Sequence, residues 1–179
     1  MSNVIFLDID GVLNCETSKS RCGNYLGIDK DKVKRLVNIV NATSADIILT
    51  STWKIGWCRN PASNLIPSYD APTFDKAAKY LNNHLWKKGK LVVRDKTKER
   101  DLNYRGSGIR NYLNNHPEIT GWVVLDDAIF PDFEKEGVFP HLVLTDFKIG
   151  LTDEDADFAI KIINGTETGP RIWYKNVKE

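Results

Sequence analysis

Residues 4–14 read VIFLDIDGVLN, and the fold turns on how they are divided. Val4, Ile5, Phe6 and Leu7 form a continuous apolar run, the pattern of a strand buried on both faces. Asp8 and Asp10 follow with one residue between them. In extended chain, side chains two apart leave on the same side. A buried strand that ends in two same-sided carboxylates therefore addresses both to one point.

Outward from this stretch, strand and helix signals alternate. KDKVKRLVNIVNAT (30–43) sets Val33, Leu36, Val37 and Val40 at helical spacing, and DIILT (46–50) is a second strand. FDKAAKYLNNHLWKK (74–88) predicts a helix with Trp86 on its apolar side, and KLVVR (90–94) a third strand. SGIRNYLNNH (107–116) predicts a helix with Ser107 as its N-cap, and GWVVLDD (121–127) a fourth strand ending in acids. HLVLTD (141–146) is a fifth strand, and TDEDADFAIKIIN (152–164) a helix capped by Thr152 and followed by Gly165. This alternation predicts an α/β, Rossmann-like three-layer sandwich on a mostly parallel five-stranded sheet. Residues 54–72 lack a period and read as a long loop or small insertion. The expected division is a catalytic domain over 1–165 and a tail over 166–179, in which RIWYK (171–175) is an edge strand or an arm.

Composition narrows the function classes. A near-neutral chain of 179 residues, 41% hydrophobic and 27% charged, is ordinary for one globular domain. It has no apolar run of the roughly 20 residues a membrane span needs, and no secretory signal is read at its start. Three cysteines, Cys15, Cys22 and Cys58, without metal spacing fit a reduced cytoplasmic setting. Between residues 87 and 110, nine bases face only three acids, which points to an anionic partner near that segment or to a solvated basic face.

In parallel sheets, ligands bind beyond the carboxyl ends of the strands. Those ends carry Asp8 and Asp10, then Thr50, Ser51 and Thr52, then Asp126 and Asp127, and the region between the third strand and the next helix is basic. A carboxylate can attack phosphorus as a nucleophile. A second can protonate the leaving oxygen and then activate water. The gathered anions need a hard cation such as Mg²⁺, a hydroxyl suits a phosphoryl oxygen, and a Lys or Arg offsets phosphoryl charge. A receiver domain would carry its acceptor on a middle strand and its acidic pair after the first, the reverse of the order here.

FLDIDG, IILTS and VVLDD, in this order, resemble the motifs of the haloacid dehalogenase (HAD) superfamily of phosphotransferases. The finer pattern, DIDGVLN, TSTWK, RGSGIRNYL, WVVLDD and GLTDEDADFAIKII, resembles the HAD domain of "Swiss Army Knife" RNA-repair proteins over roughly residues 3–164. The resemblance implies Asp8 as nucleophile and Mg²⁺ ligand, and Asp10 as general acid/base that lends its carbonyl to the metal. It implies Thr50 as the phosphate-binding hydroxyl with Ser51 as the alternate, Asp127 as a direct metal ligand, and Asp126 as a partner behind that ligand or one that reaches the metal through water. The basic motif falls on Arg105, with Lys96 as the alternative, and Lys54 is a further substrate contact. Trp53 and Trp57 either stack on a base or pack in the core, while His84, His116 and His141 carry no catalytic signal.

About 20 residues between the first motif and the first helix leave room only for a minimal cap, so an open site is expected. The expected function is a Mg²⁺-dependent phosphatase of nucleotides or RNA or DNA ends, working as a monomer or small homo-oligomer without a membrane. The alternatives are a small-metabolite phosphatase and a catalytically silent phosphate-binding or interaction module.

Overall fold

The computed structural model describes residues 2–58, 76–99 and 103–172. Strand β1 (Ser2–Leu7) is the apolar run that precedes the first carboxylate. A small antiparallel hairpin, β2 (Arg21–Cys22) and β3 (Tyr25–Leu26), comes next, before helix α1 (Lys30–Thr43) and strand β4 (Asp46–Leu49). Helix α2 (Lys76–Gly89), β5 (Val93–Lys96), α3 (Arg105–Asn115) and β6 (Ile119–Asp126) continue the alternation. Strand β7 (Leu142–Leu144), helix α4 (Asp153–Ile163) and β8 (Arg171–Ile172) close it.

Six strands pair in the order β5-β4-β1-β6-β7-β8, and every pair is parallel. Alternation along the central strands builds the layers. Ile5, Leu7, Val123 and Leu125 face one way and meet α1, α2 and α4 through Leu36, Leu81 and Ala159. Val4, Phe6, Trp122 and Val124 face the other way and meet α3 through Ile109. The architecture is the expected Rossmann-like core.

Local differences have physical causes. The sheet has six strands rather than five, because Arg171 and Ile172 pair with Val143 and Leu144. The third strand starts at Val93, not Lys90: Lys90 takes a left-handed turn (φ 57°) just after α2, and its ammonium lies 5.0 Å from the centre of the Trp86 ring. The strand expected over 141–146 shortens to Leu142–Leu144, with His141 in a short 3-10 turn. Helix α3 begins at Arg105, so Ser107 is not its cap. The Asp132 carboxylate accepts from the Gly106 and Ser107 N–H groups instead, at 3.1 and 2.7 Å. Thr152 does cap α4, in a reciprocal capping box with Asp155.

Between the first motif and α1 the ordered insertion is the β2–β3 hairpin alone. Phe74 and residues 59–72 of the expected loop lie outside the described residues. Among the described residues, no helix is long and apolar enough to cross a membrane.

Candidate active site

The parallel ladder runs one step past each strand, and this aligns the site. Asp8 N–H donates to Leu125, Thr50 N–H to Leu7, Thr97 N–H to Leu49 and Thr145 N–H to Asp126, at 2.9–3.0 Å. Four strand exits are thereby held in register at the carboxyl edge.

Asp8 and Asp126 are both buried there, and one cation joins them. Arg105 Nη1 lies 3.0 Å from Asp8 Oδ2 and 2.6 Å from Asp126 Oδ2. The guanidinium rests 4.5 Å over the Phe130 ring. Burial alone would lower the arginine's pKa, but Asp126 and Asp8 outweigh it and raise the value. The other Asp126 oxygen accepts from Ala128 N–H at 3.0 Å, so both are engaged.

Asp8, Asp126 and Asp127 each offer an oxygen, all within 4.8 Å of one another. Burial, then the charge of Asp8, pushes Asp126 up to about 8 and Asp127 up to about 6. Carboxyls raised in this way are withdrawn from water and set beside a neighbouring carboxylate. Their hard oxygen donors fit a divalent cation such as Mg²⁺.

Asp10 is fixed through both oxygens. Asn14 Nδ2 donates to Oδ1 at 2.8 Å, and the Trp53 indole N–H donates to Oδ2 at 2.9 Å. Asn14 also accepts from Gly11 N–H at 2.9 Å, which closes the turn. Gly11 has φ +69°, and a Cβ there would stand 2.3 Å from Asp127 Oδ2. The turn between the two halves of the acidic cluster therefore admits only glycine.

Beside them, Thr50 Oγ1 lies 3.3 Å from Thr97 Oγ1, while Ser51 Oγ caps the following 3-10 turn by accepting from Trp53 N–H. Lys54 is buried, donates to Thr97 Oγ1 at 3.0 Å and pairs with Glu99. Burial lowers its pKa, against the pull of Glu99. Lys96 is not brought to the acidic cluster: its ammonium donates to the Lys54 carbonyl at 3.1 Å and to that of Trp57. Several other bases of residues 87–110 have partners of their own. Arg94 pairs with Asp46, Lys88 with the Ile28 carbonyl and Arg110 with the Glu136 carbonyl, and Arg100 lies outside the described residues.

Sequence reading missed Asn14, Thr97, Glu99 and Asp132 and left Trp53 undecided between stacking and packing. Asn14 had a local signal, four residues beyond Asp10 in a turn. Trp53 lies 43 positions from Asp10 and had none. The histidines do pack: His84 stacks on Tyr80, His116 on Tyr112 and His141 on Trp122.

Searches of curated proteins and of solved structures return no match. A family model described as "HAD domain in Swiss Army Knife RNA repair proteins" matches residues 4–156, a span running from the start of the β1 apolar run into α4 and enclosing every site residue above. The chain belongs to this HAD family.

Proposed function

We propose that the protein is a Mg²⁺-dependent phosphomonoester hydrolase that acts on a nucleotide or nucleic-acid terminal phosphate through an aspartyl-phosphate on Asp8. The observation that carries the reading is the bridge from Arg105 to Asp8 and Asp126, set beside an Asp10 immobilised by two donors. An Asp8 oxygen attacks phosphorus, the bond to the leaving oxygen breaks, and that oxygen takes a proton from Asp10. Asp10 then accepts a proton from water, the water oxygen attacks the aspartyl-phosphate, and inorganic phosphate leaves with Asp8 restored. Thr50, with Ser51 next to it, holds phosphoryl oxygens. Arg105 offsets the charge shared by Asp8 and the phosphoryl group.

Asp8, Asp127 and the Asp10 carbonyl would hold Mg²⁺. Asp126, with both oxygens engaged, acts from behind as the partner of Arg105. When bound, the cation offsets the negative charge gathered by the carboxylates and the phosphoryl group. The family's description names RNA-repair proteins, which supports a nucleic-acid end over a sugar phosphate. The cysteine pattern supports a cytoplasmic setting.

The test is phosphate release from an aryl phosphate, mononucleotides, and 3′- and 5′-phosphorylated oligonucleotides, with Mg²⁺ and with chelator. Release is expected only with the metal, and Asp8→Asn is expected to abolish it while the protein stays folded. Equal release by Asp8→Asn, or release that survives chelation, would overturn the mechanism.

A further inference from the structure

A cavity of about 460 Å³ opens directly beside Asp10. Its walls are Trp53, Tyr25 and Leu26 of the hairpin, Ala77 of α2, and Phe147. Two of these are aromatic side chains turned to solvent: Tyr25 is 76% exposed and Phe147 43%. Exposed aromatics that share one cavity mark a binding surface rather than a core. Among the described lining residues, Asp10 is the only charged one.

We infer that this cavity takes the base of the nucleoside that leaves with the hydrolysed phosphate, with Tyr25 and Phe147 as its stacking surfaces. The inference rests on the phosphatase reading in one respect: Asp10 protonates the leaving oxygen, so the leaving group must lie on the Asp10 side. That side is this cavity. Its one anion and lack of described cations disfavour a second phosphate or a carboxylate. Its flat apolar walls suit a neutral π-face over a hydroxyl-rich sugar. The Thr52 hydroxyl, also in the lining, is a hydrogen-bonding handle for a base edge.

Base–aromatic stacking of this kind is worth roughly ten-fold in affinity per surface.

The test is binding to Asp8→Asn with Mg²⁺, by calorimetry, of adenosine 3′- and 5′-monophosphates, ribose 5-phosphate and adenosine. One nucleotide is expected to bind at least about ten-fold tighter than ribose 5-phosphate. Tyr25→Ala and Phe147→Ala, both at exposed positions, are each expected to shrink that gap severalfold and to leave ribose 5-phosphate unchanged. Equal binding of the two classes, a gap that survives both substitutions, or no binding at all would overturn the inference. So would self-association of the parent protein that Tyr25→Ala abolishes, because the cavity would then receive a second copy. Adenosine separates the two readings. Tyr25-dependent adenosine binding without any phosphate release would sink the hydrolase and leave the base site standing.

Discussion

The sheet carries an arginine–aspartate pair at each end, and the two are alike in length. At the amino-terminal edge Arg94 Nε lies 3.0 Å from Asp46 Oδ1; at the carboxyl edge Arg105 Nη1 lies 3.0 Å from Asp8 Oδ2. What differs is the medium. The Arg94 and Asp46 side chains are 45% and 52% exposed, whereas Arg105, Asp8 and Asp126 are buried. Water screens the first pair, so it contributes about 0–1 kcal/mol. In the second, loss of one partner strands a charge away from water. Charge at one end of the sheet decorates the fold; at the other it is held out of water at the candidate site.

The largest expected break in this contrast is Arg105→Ala. It leaves Asp8 and Asp126 facing each other, and urea unfolding is expected to show a loss of about 3–5 kcal/mol. Phosphate release should fall with it, and Arg105→Lys should restore part of both. A loss no greater than that of Arg94→Ala would erase the distinction.

Trp53→Phe removes one donor from Asp10 and keeps most of the packing. Turnover is expected to drop about ten-fold, with an altered pH–rate profile and a nearly unchanged melting temperature. An unchanged profile would mean that the indole only packs.

The raised carboxyls give the contrast a pH dependence. Asp127 stands at about 6, above its ordinary 3.8, so the folded protein holds a proton that the unfolded chain releases. Stability from this group is complete below about pH 4 and is lost as pH rises through 6. Relative to Asp127→Asn, the parent's melting temperature should therefore fall from pH 4 to pH 7 in chelator. Mg²⁺ should reverse the sign at pH 7 by binding the parent better. A difference that ignores both pH and metal would remove Asp127 from the cation site. The smallest effect belongs to Arg94→Ala, which should cost under about 1 kcal/mol in unfolding and leave turnover unchanged.

Strong local patterns were legible in the sequence. The β1 run, the α1 period and the Thr152 cap each lie within a few residues and need no distant partner. The start of β5 did not yield to pattern, because pairing with β4 sets Val93 opposite Ile47 and carries polar Asp95 and Lys96 into the ladder. The two-residue β8 is too short to show a period. Ser107 looked like a cap because it is a good local one, yet Asp132, 25 residues further on, takes its N–H. The carboxylates of the site could be located because strand order alone brings them to one edge. Their supports could not, since Trp53 and Thr97 reach their partners only through tertiary packing.

The grip of Asp132 on the start of α3 has a consequence for how the chain tolerates change in length. Asp126 meets Arg105, and Asp132 fixes the two residues after Arg105, so the span 126–132 is a ruler between both contacts. An insertion there would slide the arginine off its carboxylates even if every residue were kept. The β2–β3 hairpin is instead closed at its base, where Gly27 N–H donates to the Ser20 carbonyl at 2.8 Å, so its tip can lengthen without moving either flank. A longer hairpin tip would reshape the cavity it borders, while the ruler keeps Arg105 on its carboxylates.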